Sequence, residues 1–185
     1  MERRDQPGKP GKRRSGRTPA GDAALCGLMC ALAFLFGYVE MLVPVSLGVP
    51  GVKLGLANLV SIVSLYLLGT RRTVLISLVR VILTGFTFGS LSVMMYSMAG
   101  AVLSLIAMIF CRKADLFGIT GISIAGGVFH NIGQLIVAAL VLESANLFYY
   151  LPVLLFAGTV SGACIGLLGG MAVKRLSRAI PGSLT

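Results

Sequence analysis

ITGISIAGGVFHNIGQLIVAALVL, residues Ile119–Leu142, runs for 24 positions without an acidic residue, a lysine or an arginine. At 1.5 Å per helical residue, such a run covers a bilayer hydrocarbon core of about 30 Å. Five more apolar segments surround it: Ala23–Val43, Leu54–Leu68, Thr73–Ser90 and Val93–Phe110 before it, and Phe148–Val173 after it. Pro, Gly or charge marks the breaks between them, as turns require. The second segment has 15 residues and is short for a span. Either it begins earlier, near Gly51, or the preceding loop dips into the membrane. The expected fold is an all-α integral membrane protein with six transmembrane helices.

Composition agrees. Of the 185 residues, 56% are apolar and 12% are charged, with a mean hydropathy of +0.93. A soluble domain needs about 25% charged residues to cover its surface. Ten of the 22 charged side chains lie in the first 22 positions, which leaves 12 for everything that follows. A soluble enzyme and a nucleic-acid-binding domain are both excluded, despite the net charge of +10.

Positions 1–22 hold Arg3, Arg4, Lys9, Lys12, Arg13, Arg14 and Arg17 among Pro, Gly and Ser. Such a segment buries too little apolar surface to fold, so a disordered basic cytoplasmic tail is expected, with a six-helix transmembrane domain over 23–178 and a short cytoplasmic tail over 179–185. With six spans and the tail inside, the same side receives Arg71, Arg72, Arg112, Lys113, Lys174, Arg175 and Arg178, in all 14 of the 16 basic residues. The positive-inside rule then places both termini in the cytoplasm of a cell-membrane, multi-pass protein. Cys26, Cys30, Cys111 and Cys164 lie in or beside apolar stretches and read as small buried residues, not as a disulfide framework.

The polar groups inside the spans are the candidates for function. Arg80 sits seven residues into the third segment, at a depth where an arginine needs a partner or a watered cavity. It either snorkels or pairs with a carbonyl, or it serves a pocket or coupling. In the fifth segment His130 and Gln134 share a face, as do Asn131 and Gln134. Facing lipid they would cost several kcal/mol, roughly, so they point into the bundle. A metal site is not expected, because no second His and no nearby Asp, Glu or Cys accompanies His130. Glu40, Lys53 and Asn58 surround the VPVSLGVPGVK loop at the outer mouth. Two readings stay open there: an ion pair of Glu40 with Lys53 that pins the loop, or a lidded pocket in which Lys53 meets an anion. Tyr96, Tyr149 and Tyr150 fall at the same level, as interfacial anchors or, for Tyr96, as a pocket residue.

A further feature is the i, i+4 stripe of Ala23, Gly27 and Ala31 on the first helix, which permits close helix approach. It packs either within the chain or against a partner subunit. No catalytic residue is identified. Outside the tail no two carboxylates lie close together, and there is no D-D-x-x-D to hold Mg²⁺ on a diphosphate, no Walker lysine loop and no nucleophile elbow.

Three stretches carry a resemblance: PGVKLGLANLV (Pro50–Val60), GGVFHNIGQLIVA (Gly126–Ala138) and YYLPVLL (Tyr149–Leu155). From Leu25 to Arg178 the sequence resembles the small bacterial membrane proteins named heptaprenyl diphosphate synthase component I, also called the Gx transporter family; the basic tail has no counterpart. That family is similar in layout to the substrate-binding S components of energy-coupling factor (ECF) transporters. The resemblance implies a small-molecule substrate bound from outside, with Lys53, Asn58, Tyr96, His130, Asn131 and Gln134 as binding candidates. It also implies a membrane scaffold subunit and an ATPase pair as partners, docked at the Ala23–Gly27–Ala31 stripe, with no cofactor and no nucleic acid. The alternative is a noncatalytic membrane component of heptaprenyl diphosphate synthesis.

Overall fold

The computed structural model describes residues 18–42, 55–115 and 117–179. These form six α-helices: α1 (Pro19–Leu42), α2 (Leu56–Leu67), α3 (Thr70–Phe88), α4 (Leu91–Lys113), α5 (Ile119–Val141) and α6 (Leu151–Ala179), with a 3₁₀ turn over Ala145–Tyr150 before α6. No strand occurs among the described residues. Four of the helices, α1, α4, α5 and α6, are long and apolar enough to cross a membrane. α3 has 19 residues but carries Arg71, Arg72 and Arg80, and α2 has only 12.

The termini of these helices follow local chemistry. α1 starts at Pro19, earlier than the apolar run suggests, because Pro suits the first helical position and Thr18 caps it: Thr18 Oγ1 accepts from the Gly21 amide at 3.2 Å. Asp22 in that first turn favours the helix dipole and accepts from Arg72 of α3 at 2.7 Å. Ser90 caps α4 by accepting from the Val93 amide. At the far end of α4, Arg112 donates to the Leu65 carbonyl and stacks over the Tyr66 ring at 4.6 Å, closing the C-terminal turn of α2. These bonds gather the N-termini of α1 and α3 and the C-termini of α2 and α4 at one basic end of the bundle.

α2 is the centre. Eight of its 12 residues are buried, so a helix too short to span serves instead as the hub around which the others close. It starts at Leu56 and no earlier; residues 43–54 lie outside the described set. Ile62 and Leu65 have no exposed surface, and they join Met29, Ile76, Met108, Ile122 and Val173 in one apolar core. The outer faces are apolar too: Phe86, Phe110 and Phe156 are all exposed. In a bilayer such faces need no cover, so helices associate by close packing.

That packing is tightest between α5 and α6. A Cβ at Gly127 would lie 2.6 Å from the Gly158 carbonyl oxygen, and one at Gly162 would lie 2.7 Å from Ile124 Cα. Only glycine allows the two backbones to approach this closely. α4 meets α5 in the same way, with a Cβ at Gly133 falling 2.7 Å from the Ala99 oxygen.

Candidate functional site

One turn to two turns from the apolar core, on the side away from the basic end, the packing opens into a polar cavity of about 30 Å³. Its walls come from five helices: Glu40 of α1, Gly55, Ala57 and Asn58 at the start of α2, Arg80 of α3, Gly127, His130 and Asn131 of α5, and Ser161 of α6. The space is large enough to admit water.

The start of α2 shapes this cavity. Gly55 precedes the helix in the left-handed region at φ 73°, a conformation costly for any residue with a Cβ. A Cβ there would also meet Ile165 at 3.0 Å. The exposed amides of a helix start attract negative charge, and Glu40 supplies it from α1: its carboxylate accepts from the Gly55 N–H. Lys53, the expected ion-pair partner of Glu40, falls outside the described residues. Asn58 stands at the rim, its own amide donating to the Gly55 carbonyl at 2.7 Å.

Arg80 is buried, at 8% exposed, and its Nε has no hydrogen-bond partner among the described residues. A buried guanidinium with an unsatisfied N–H is expensive unless water or an anion reaches it. Just beneath, Ser61 of α2 and Ser77 of α3 share a buried hydrogen bond of 3.2 Å, so the polar character continues one turn inward before the apolar core begins. On α5, Asn131 donates through Nδ2 to the Leu154 carbonyl at 2.8 Å, tying the cavity wall to the first turn of α6. His130 lines the cavity and rests its ring edge against Gly100 of α4, where a Cβ would sit 2.9 Å from Cε1.

Of the residues singled out in the sequence, Glu40, Asn58, Arg80, His130 and Asn131 come together here. Gln134 does not line the cavity; its Cγ packs beside Gly100. Tyr96 is half-buried on α4 and lines nothing here. Tyr149 and Tyr150 lie in the 3₁₀ turn, with Tyr149 almost fully exposed. Ala23, Gly27 and Ala31 face outward from α1, and a Cβ at Gly27 would touch nothing within 4 Å. Sequence reasoning missed Gly55, Ala57 and Ser161 as wall residues and the Ser61–Ser77 pair beneath. Ser161 sits in a run of small residues that reads as packing, whereas the pair could have been sought as two hydroxyls in neighbouring apolar helices.

Among the described residues, no three His, Cys, Asp or Glu side chains converge to hold a metal ion. What the arrangement can do is hold a small polar or charged group between one guanidinium, one carboxylate, one imidazole and two amides.

No curated protein and no solved structure matches the chain. The family model described as heptaprenyl diphosphate synthase component I matches residues 29–172, a span that contains α2 to α5, most of α1 and α6, and every wall of the cavity. The chain belongs to the heptaprenyl diphosphate synthase component I family.

Proposed function

We propose that this protein is a membrane-embedded substrate-binding subunit, of the S-component kind, that serves an ECF-type transporter for a small anionic molecule. The observation that carries the proposal is Arg80: a buried arginine whose Nε has no hydrogen-bond partner among the described residues, beside a polar cavity that five helices build. Glu40, Asn58, His130 and Asn131 then serve as ligand-facing groups. Lys53, on the chain between α1 and Gly55, is the further cation, and Tyr96 and Gln134 are outer contributors. In this proposal all six helices lie in the membrane, with the basic end and both termini cytoplasmic.

The outward-facing Ala23, Gly27 and Ala31 are the docking stripe for the scaffold subunit, which in turn carries the ATPase pair. Their exposure supports that role, since none of the three is needed for packing inside the chain. Replacing Gly27 and Ala31 together with Leu tests it. Assembly with the ECF module and uptake should be lost, while folding and ligand binding by the isolated protein survive. Unchanged assembly would refute the docking role.

The family's description favours a second reading, a noncatalytic membrane component of heptaprenyl diphosphate synthesis. Co-purification separates the two. An ABC-type ATPase pair supports the transporter; a soluble synthase bearing D-D-x-x-D supports the second reading.

A further inference from the structure

Two opposite charges share the cavity without meeting. Arg80 from α3 and Glu40 from α1 both line it, yet no ion pair joins them among the described residues. Arg80 is buried, and its Nε lacks a hydrogen-bond partner among those residues. One carboxylate oxygen of Glu40 accepts from the Gly55 N–H, which leaves the other for a ligand. Asn131 commits its Nδ2 to the Leu154 carbonyl, so its Oδ1 remains as a further acceptor. The walls therefore present an unmatched cationic donor together with unmatched acceptors, one of them charged. A ligand with an acidic group alone would satisfy Arg80 but set its negative charge beside Glu40, with nothing to donate to either acceptor. A ligand with an amine alone would satisfy the acceptors and oppose Arg80.

We propose that the ligand is an anion of the amino acid kind: its acidic group binds Arg80, and a protonated amine on the same molecule donates to Glu40 and to the Asn131 oxygen. This rests on the small-molecule binding proposed above. An ammonium has three donors and a carboxylate accepts only, so the two groups answer the two halves of the wall. Both ends then make charge-assisted hydrogen bonds, which are shorter and stronger than neutral ones. The acid–amine pair brings no net charge of its own, so the charge balance of the site is unchanged with Lys53 counted or left aside.

Glycine presents these two groups and little else, and acetate is glycine without the amine. Both are titrated calorimetrically into the full chain in lipid nanodiscs, at one pH and one ionic strength. The expected result is that glycine binds at least about tenfold more tightly than acetate, since a site built to hydrogen-bond a group rejects the analogue that lacks it. In Glu40→Gln, whose amide oxygen can still accept from Gly55, that ratio should fall to near one, through weaker glycine binding with acetate binding kept. A role of Glu40 in folding alone would weaken both ligands together and leave the ratio as it was. Acetate bound as tightly as glycine by the wild type, or a preference for glycine that persists in Glu40→Gln, would overturn this inference and leave the anion site standing. Binding of neither probe by the folded wild-type protein would overturn the inference and the anion site beneath it.

Discussion

Leu65 and Asn58 both belong to α2, about two helical turns apart, and their surroundings are opposites. Leu65 is fully buried in an apolar cluster that includes Met29, Met108 and Ile122. Asn58 is half-buried beside a cavity walled by Arg80, Glu40, His130 and Asn131. In a bilayer the first arrangement follows from close packing alone. The second does not, because a polar hollow at membrane depth is stabilised only when water or a ligand completes its hydrogen bonds. The basic end of the molecule is therefore built by packing, and the proposed ligand site lies at the Glu40–Arg80 end.

The strongest way to break this division is to damage the helix contact that supports both regions. Gly162→Val places a methyl-bearing carbon 2.7 Å from the Ile124 backbone, which cannot yield as a side chain would. The expected loss is at or beyond the upper end of about 1–3 kcal/mol for overpacking, read as a large fall in melting temperature in detergent. Wild-type stability for this variant would contradict the close approach of α5 and α6. Comparable in size is Leu65→Ala, which opens a hole in the apolar cluster and should cost about 2–5 kcal/mol. The protein that remains folded should retain ligand as before, and a loss of ligand proportionate to stability would erase the distinction between the regions.

On the polar side the order of effects reverses. Asn131→Ala removes the bond to the Leu154 carbonyl and should cost only about 1 kcal/mol, yet weaken ligand retention measurably. Lys53→Ala should change stability by less than about 0.5 kcal/mol while also reducing retention. If both variants hold ligand as the wild type does, the polar cluster is packing and not a site.

The long helices were legible because each leaves an unbroken apolar run between charges, and the Ile119–Leu142 run ends one residue past the observed α5. Other ends moved for local reasons. α1 gains a turn through Thr18 and Pro19, and α6 continues through Lys174–Ala179, where helix propensity outlasts hydropathy. The role of α2 was not legible: its shortness points to an earlier start near Gly51 or to a loop dipping into the membrane, whereas its position at the hub depends on contacts with residues far away in sequence. The site was half legible. Arg80, Asn131 and Glu40 stand out because polar groups are expensive in apolar helices. Gly55 and Ser161 do not, since a glycine's φ and a serine's facing direction are set by packing. Gln134 shares a helix face with His130 and both touch Gly100 of α4, but only His130 lines the cavity.

The central claim is that Arg80 marks a ligand site, and mass spectrometry of small molecules retained by the detergent-purified full chain tests it most directly. Wild type and Arg80→Gln are compared after matching for folded protein by melting curve. The account predicts a small anionic molecule retained in stoichiometric amount by the wild type and absent from Arg80→Gln. The same molecule at the same occupancy in both proteins would contradict it.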